Sequence, residues 1–168
     1  MEKKDLKFLI VFFYYNRPDM VRNALNSINK LKYKNFEVAF IDDGSDKVGE
    51  PIVRSILKPS FIKKVKFINT FDTVQNKIER GGSEIGRYAN RAIKESDADI
   101  VIMLCDDDAL FPNYLNNLNR FYNYNPKIYY AYCKLKYYDP TIVNYTKGKP
   151  NDDDITSRFW LAKSSKYN

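Results

Sequence analysis

Apolar side chains gather in four short runs, residues 8–14, 36–41, 65–68 and 100–104, and most of the segments between them carry apolar residues at helical spacing. Runs of that length suit buried strands, and the intervening periodicity suits amphipathic helices. Strand alternating with helix predicts an α/β fold with a mostly parallel sheet flanked by helices. The first helix is expected from Pro18-Asp19, where proline fits the opening turn, with Met20, Ala24, Leu25 and Ile28 on its buried face.

A shorter helix follows over 51–57 and a longer one over 82–96, the latter burying Ile85, Ala89, Ala92 and Ile93. Gly81-Gly82-Ser83 leads into it, with Ser83 able to cap its first turn. Pro112 opens a further helix that turns Leu115, Leu118 and Phe121 inward, and 129–138 reads as a Tyr-rich strand closed by the Asp139-Pro140 turn. From about 148 the periodicity fades, apart from Phe159-Trp160-Leu161, and a loop-like tail is expected. At 168 residues the whole chain, 1–168, is expected to be one domain.

Composition narrows the chemistry. Hydrophobic residues are 44% and charged residues 29%, an ordinary globular balance, and the net charge of +7 favours anionic partners such as phosphates. The chain has no histidine, so histidine bases and Ser-His-Asp triads are excluded and acid–base work falls to carboxylates, Lys or Tyr. Cys105 and Cys133 lack zinc or disulfide spacing and read as reduced core thiols of a cytoplasmic protein. No apolar stretch approaches the ~20 residues of a membrane span, and the run at 8–14 ends in Asn16-Arg17-Pro18 without a cleavage site.

Two acidic clusters fall at carboxyl ends of expected strands, Asp42-Asp43 after the second and Asp106-Asp107-Asp108 after the fourth. In parallel sheets ligands collect beyond those ends, so both clusters can face one crevice. Three adjacent carboxylates repel one another unless a cation or donors compensate them. Oxygen ligands suit Mg²⁺ or Mn²⁺, whose remaining positions a diphosphate can fill. A helix cap would need one aspartate, not three. In Asp42-Asp43-Gly44-Ser45, Gly44 can take positive φ while the carboxylates accept from a ribose hydroxyl or a base N–H, although Asp-Gly turns are common without any ligand.

These segments resemble family 2 glycosyltransferases of the GT-A (Rossmann-like) fold. Residues 8–45, with Tyr15-Asn16-Arg17 and then Asp42-Asp43-Gly44-Ser45, are similar to that family's opening, and 100–115, with Asp106-Asp107-Asp108 and Pro112, to its DXD segment and following helix. The resemblance spans roughly 8–138 and implies the donor-binding part of such an enzyme. It implies that Asp43 contacts the nucleotide base, with Asp42 beside it, that Phe13 and Tyr15 line the base pocket, with Arg17 next to them, and that Asp106 lies near ribose and metal. Asp107 would ligate Mn²⁺ or Mg²⁺, with Asp106 and Asp108 as further candidates, because Cys105 stands where family members often have an acid. Arg87, near one turn before Asn90, is the candidate for phosphate or base.

The implied reaction is inverting transfer from a nucleotide diphosphate sugar, with a uridine diphosphate sugar the expected donor. The acceptor, whether glycan, lipid-linked or protein, and the catalytic base are not specified. Asp152-Asp153-Asp154 reads as an acidic loop. Location is expected to be cytoplasmic, with peripheral membrane association open. Two other classes stay in view. One is a nucleotide-sugar-binding module without turnover. The other is a sugar nucleotidyltransferase, disfavoured because bulky Tyr14-Tyr15-Asn16-Arg17-Pro18 stands where a glycine-rich phosphate loop would be. The Tyr- and Lys-rich 134–138 stretch could stack bases, but strand alternation explains it and nucleic acid is not the expected partner.

Overall fold

The computed structural model describes residues 4–131 and the backbone of residues 161–163. The four apolar runs become four parallel strands, β1 (Phe8–Tyr14), β2 (Phe36–Asp42), β3 (Val65–Asn69) and β4 (Ile100–Cys105), arranged β3-β2-β1-β4. Alternate side chains along each strand enter two separate cores. Phe8, Ile10, Phe12 and Tyr14 of β1 join Phe36, Val38 and Phe40 of β2 and Ile100, Ile102 and Leu104 of β4 on one face. Leu9, Val11, Ala39, Ile41 and Val101 fill the other. Such two-sided burial is why these strands read as continuous apolar runs rather than alternating ones.

The first face is covered by α1 (Met20–Asn29), α2 (Gly49–Ile56), the single turn α3 (Pro59–Ile62) and a later helix at Tyr114–Tyr124. In α1 the buried stripe is Val21, Ala24, Leu25 and Ile28, so Met20, expected inside, falls beside that stripe and is 53% exposed. Two helices lie between β3 and β4. The first, α4 (Val74–Arg80), has no buried residue, and the second, α5 (Ile85–Glu95), buries Ala89 and Ala92 against the second core, with Ile85 and Ile93 partly buried there as expected.

The helix after Pro112 is α6 (Tyr114–Tyr124), with Tyr114, Leu115, Leu118 and Tyr122 buried. Phe121, expected inward, lies to one side at 37% exposure, its ring edge-on to Tyr122 at 5.3 Å. Beyond β4 the sheet continues through β5 (Tyr130–Ala131) and β6 (Leu161–Lys163), in the order β4-β6-β5. β6 runs antiparallel to β4, with Ile100 opposite Lys163. This corrects the loop-like reading of the tail for three residues, because pairing satisfies the backbone groups that an open β4 edge would leave unbonded. The remainder of 148–168, the rest of the 129–138 strand, Cys133 and Asp152-Asp153-Asp154 lie outside the described residues.

Candidate functional site

The sheet order puts β1 between β2 and β4, so that Tyr14 lies opposite Asp42 while Phe13 lies opposite both Ile41 and Cys105. The two acidic segments therefore leave the sheet on either side of one strand end, about 10 Å apart across two strand spacings. This is also where the chain switches from building one half of the sheet to building the other, the usual ligand crevice of an open α/β fold. The residues after β1 tie the two sides together. Tyr15 N donates to Asp106 Oδ2 at 3.1 Å, and Asn16 N donates to Ser45 Oγ at 3.0 Å. Asn16 holds φ +50°, a left-handed position that asparagine tolerates better than most residues, and its Oδ1 accepts from Lys47 N at 3.1 Å.

On the β2 side the neighbouring aspartates face opposite ways because strand alternation sends them to opposite faces of the sheet. Asp42 is buried, and its two oxygens accept from Ser45 N at 2.9 Å and Gly49 N at 2.8 Å, the latter at the start of α2. That carboxylate is committed to closing its own turn, so Asp42, expected among the nucleotide-binding residues, reaches the crevice only through the turn it holds. Gly44 takes φ +72°, as expected, and a Cβ there would lie 2.2 Å from Asp72 O. Only glycine fits that position. Tyr14 donates its hydroxyl to Lys47 O at 2.7 Å, and burial followed by the Asp42 and Asp106 charges pushes this phenol up to about 12.

Asp43 turns toward the second face and meets Lys77 and Ser83, neither of them expected as its partner. Lys77 Nζ lies 2.8 Å from Asp43 Oδ2, donates to the Asp43 carbonyl at 2.6 Å, and sits 4.1 Å from the centre of the Tyr15 ring. Ser83 Oγ lies 2.9 and 3.0 Å from the two Asp43 oxygens and also accepts from Ile85 N at 3.0 Å; the N-cap position of α5 is Glu84, so the serine expected as its cap is chiefly a partner of Asp43. Phe13 is half-buried against the second core, and Tyr15 is half-buried beneath Lys77. Asp43, Tyr15 and Phe13 thus share one side of the crevice.

Lys77 belongs to α4, for which no element was read from the sequence. Its signals were nonetheless present. Thr73 caps α4 by accepting from Asn76 N at 3.1 Å, and Gly81 ends it at φ +75°. The helix is pinned by Arg80, whose guanidinium lies 2.5 Å from the buried Asp72 carboxylate. Burial works to raise the Asp72 carboxyl, but bonds to Arg80 and to the Glu84 backbone, with the Arg80 and Lys77 charges, outweigh it and hold it below the ordinary value.

On the β4 side Asp106 is buried and Asp107 exposed, and Arg17 bridges them, 3.3 Å from Asp106 Oδ1 and 2.8 Å from Asp107 Oδ2. Burial raises the Asp106 carboxyl, against the lowering pull of Tyr15 N–H and Arg17. The Asp108 carboxyl is raised by burial and then by the Asp107 and Asp106 charges. Asp106, expected among the metal ligands, accepts from Tyr15 N and Arg17 Nη1. The atoms that do converge are Cys105 Sγ and carboxylate oxygens of Asp107 and Asp108, all within 4.8 Å of one another. Cys105 is correspondingly an exposed residue of the crevice wall, not the core thiol expected. Burial of its sulfur and then the Asp108, Asp107 and Asp106 charges push the thiol up to about 11. Mn²⁺ and Mg²⁺ are hard cations that prefer oxygen to sulfur, so of the three converging groups the oxygens of Asp107 and Asp108 are the ones suited to them.

Arg87 lies apart from this arrangement. It is exposed on α5, with Nη1 3.2 Å from Glu84 Oε1 one turn away. Two clefts of the described surface also lie away from the crevice floor. One, of about 440 Å³, is lined by Lys7, Asn35, Phe36 and Lys63 at the amino ends of the strands, and one, of about 290 Å³, by Phe40, Asp42, Val48 and Phe71 beside α2. Between Tyr15 and Asp43 the space is taken by Lys77.

A four-stranded parallel sheet between helices, with acidic residues at the carboxyl ends around its switch point, has the architecture of the GT-A glycosyltransferases. The chain matches glycosyl transferase family 2 over residues 9–164 and belongs to that family. Among curated proteins it is similar to Protein CgeD of Bacillus subtilis (strain 168), 23% identical over 77% of this chain and 29% of that protein. It is also similar to an uncharacterized glycosyltransferase of Rickettsia bellii (strain RML369-C), 30% identical over 73% of this chain and 16% of the relative. The chain therefore spans less than a third of the length of either. Among solved structures, S. aureus TarS 1–349 in complex with UDP superimposes with a TM-score of 0.55 at 22% identity, over 71% of this chain and 32% of that one. The mannosyltransferase PcManGT from Pyrobaculum calidifontis, in complex with GDP-Man and Mn²⁺, gives 0.63 at 15% identity, over 78% and 36%.

Proposed function

We propose that this chain is a single nucleotide-sugar-binding domain, the donor half of a metal-dependent, inverting glycosyltransferase that uses a uridine diphosphate sugar. The observation that carries the reading is the pairing, across the end of β1, of a base-sized wall (Phe13, Tyr15, Asp43) with two converging carboxylates (Asp107, Asp108). A nucleotide diphosphate has the same two ends, a flat base and a charged diphosphate. Tyr15 would offer a ring face for stacking, and Asp43 would accept a base N–H in place of the Lys77 or Ser83 donor it now holds. Family membership and the UDP complex of TarS support a nucleotide-sugar ligand, and the Mn²⁺ of PcManGT supports the metal.

Asp107 and Asp108 would hold the cation, and Arg17, already on Asp107, would face the same diphosphate. A divalent cation there supplies Lewis-acid stabilisation of the departing diphosphate. In the transfer itself an acceptor hydroxyl oxygen bonds to the anomeric carbon as the bond from that carbon to the diphosphate oxygen breaks. The hydroxyl proton passes to a base, by family resemblance an acidic residue following the 106–108 segment. No helix among the described residues is long and apolar enough to cross a membrane. Two cysteines without zinc or disulfide spacing support a cytoplasmic location.

The test is thermal unfolding with nucleotides. UDP is expected to raise the melting temperature in Mn²⁺ or Mg²⁺ and to lose most of that shift in chelator, since a ligand stabilises only through the folded state that binds it. A shift that ignores the metal, or none with any nucleoside diphosphate, would sink the reading. Pyrophosphate release from a nucleoside triphosphate and a sugar phosphate would favour a nucleotidyltransferase instead.

A further inference from the structure

The positive charge of this chain is sorted by position. Segments 20–36 and 51–71 contain nine of the 28 Lys and Arg and none of the 21 Asp and Glu, so the remainder of the chain is slightly acidic and the net +7 comes from these two segments alone. Their 29–36 and 58–64 portions come together at the amino ends of β2 and β3, with Arg22 at the far end of α1. Lys58 N donates to Asn29 Oδ1 at 3.0 Å, Lys58 Nζ to Asn29 O at 3.1 Å, and Lys64 Nζ to Lys34 O. Beneath the lysines, the Phe36 and Phe61 rings pack at 5.3 Å, with Lys64 Nζ and Lys34 Nζ over them at 5.0 and 4.8 Å.

Lys30, Lys32, Lys34, Lys58 and Lys63 are exposed and Lys64 half-buried. Among the described residues none of these six makes an ion pair. Of the carboxylates described at the same end of the sheet, Glu37 and Asp97 pair with Lys7, Asp99 with Lys4 and Glu95 with Lys66, while the exposed Asp5 accepts from the Tyr33 hydroxyl, so one carboxylate stands against six lysines. The acidic crevice sits at the other end of strands seven residues long, roughly 20 Å away. The domain is thus electrically polar, with the crevice at one end and uncompensated lysines at the other.

We propose that this lysine end is a docking surface for an anionic phospholipid bilayer, which would leave the crevice open on the side away from the membrane. The partner follows from the side chains. All six cations are lysines, point charges on flexible stems that suit a fluid array of headgroups, and none is an arginine fork matched to one fixed phosphate. The aromatic rings of the patch, Phe36 and Phe61, are buried, so among the described residues no exposed ring is offered there for stacking bases, which argues against single-stranded nucleic acid.

The experiment is co-sedimentation of the full chain with phosphatidylcholine vesicles containing or lacking roughly 30% phosphatidylglycerol. Wild type is expected to pellet with the anionic vesicles only, and to be released as salt rises from about 50 to about 500 mM. The double variant Lys32→Glu with Lys63→Glu is expected to bind at least ~10-fold more weakly. A matched variant, Arg22→Glu with Lys47→Glu, carries the same charge change off the patch and should keep most of the binding. Binding to neutral vesicles as strong as to anionic ones overturns the proposal, as do equal losses in the two variants. So does salt-sensitive binding of single-stranded RNA without vesicle binding. The wild-type lipid and salt comparisons decide the matter even if a variant misfolds, and none of these outcomes depends on nucleotide binding.

Discussion

The two acidic segments flanking β1 are both runs of aspartate, two after β2 and three after β4, and they meet opposite fates. After β2, Asp42 and Asp43 are saturated from within: backbone N–H groups of Ser45 and Gly49 take Asp42, and Lys77 and Ser83 take Asp43. After β4, Arg17 is the one cation paired with the 106–108 run among the described residues, and the Asp106 and Asp108 carboxyls sit above their ordinary values. The lesson is that an acidic cluster becomes a cation site by what its surroundings withhold. Donors built into the first segment make it a rigid wall, while their scarcity in the second leaves negative charge for something else to neutralise.

Breaking the open side should give the largest effect. Asp107→Ala is expected to weaken Mn²⁺-dependent UDP binding on the order of 100-fold by titration calorimetry, while leaving the melting temperature of the ligand-free protein unchanged or slightly raised, because repulsion is relieved. Unaltered metal-dependent uptake in this variant would dissolve the distinction between the two segments.

Breaking the closed side should instead cost stability. Gly44→Ala places a methyl 2.2 Å from Asp72 O at φ +72°, and a loss of about 3 kcal/mol is expected in denaturant unfolding. Asp42→Ala removes the acceptor of two buried N–H groups and should cost about 2 kcal/mol, again without first affecting the metal. If Asp42→Ala abolished metal dependence while leaving stability intact, the roles assigned to the two segments would have to be exchanged.

The smallest effect is one of pH, and its sign differs between the sides. The Asp106 and Asp108 carboxyls are raised, so while ionised they cost the metal-free fold some stability, a cost relieved as pH falls through their folded values. The Asp72 carboxyl, under Gly44, is lowered, so its contribution is complete above the unfolded value and lost only as pH falls through the lower folded one. On acidification, protons should therefore displace the cation before the Asp72–Arg80 contact opens. Metal-dependent binding and circular dichroism, followed along one pH series, should show binding lost first, and simultaneous loss would contradict the contrast.

Much of this was readable in the residues, for reasons that differ by element. β1, β2 and β4 are buried on both faces, so their apolar runs are continuous and their bounds plain. α4 went unread because it buries nothing and lacks the periodic stripe that betrays a helix, although Thr73 and Gly81 mark its ends. Helical spacing fixes a stripe only to within about one residue, so it puts Met20 and Phe121 inside, and packing against the sheet selects Val21 and Tyr122 instead. Cys105 was read from its apolar neighbours in sequence, yet it occupies the last position of β4, where the strand has already left the core.

By itself the sequence determined the α/β alternation, the absence of histidine chemistry and the placement of two acidic segments at strand ends, because periodicity and residue type are local properties. Tertiary structure alone decided which carboxylates are closed in by built-in donors and which stay exposed beside like charges. Asp42 and Asp107 are the same side chain, and they differ only in the distant groups that folding brings to them: the Gly49 N–H on one, Arg17 and Asp108 beside the other. Electrostatic energy depends on distance and burial rather than on order along the chain, and only the folded sheet supplies either.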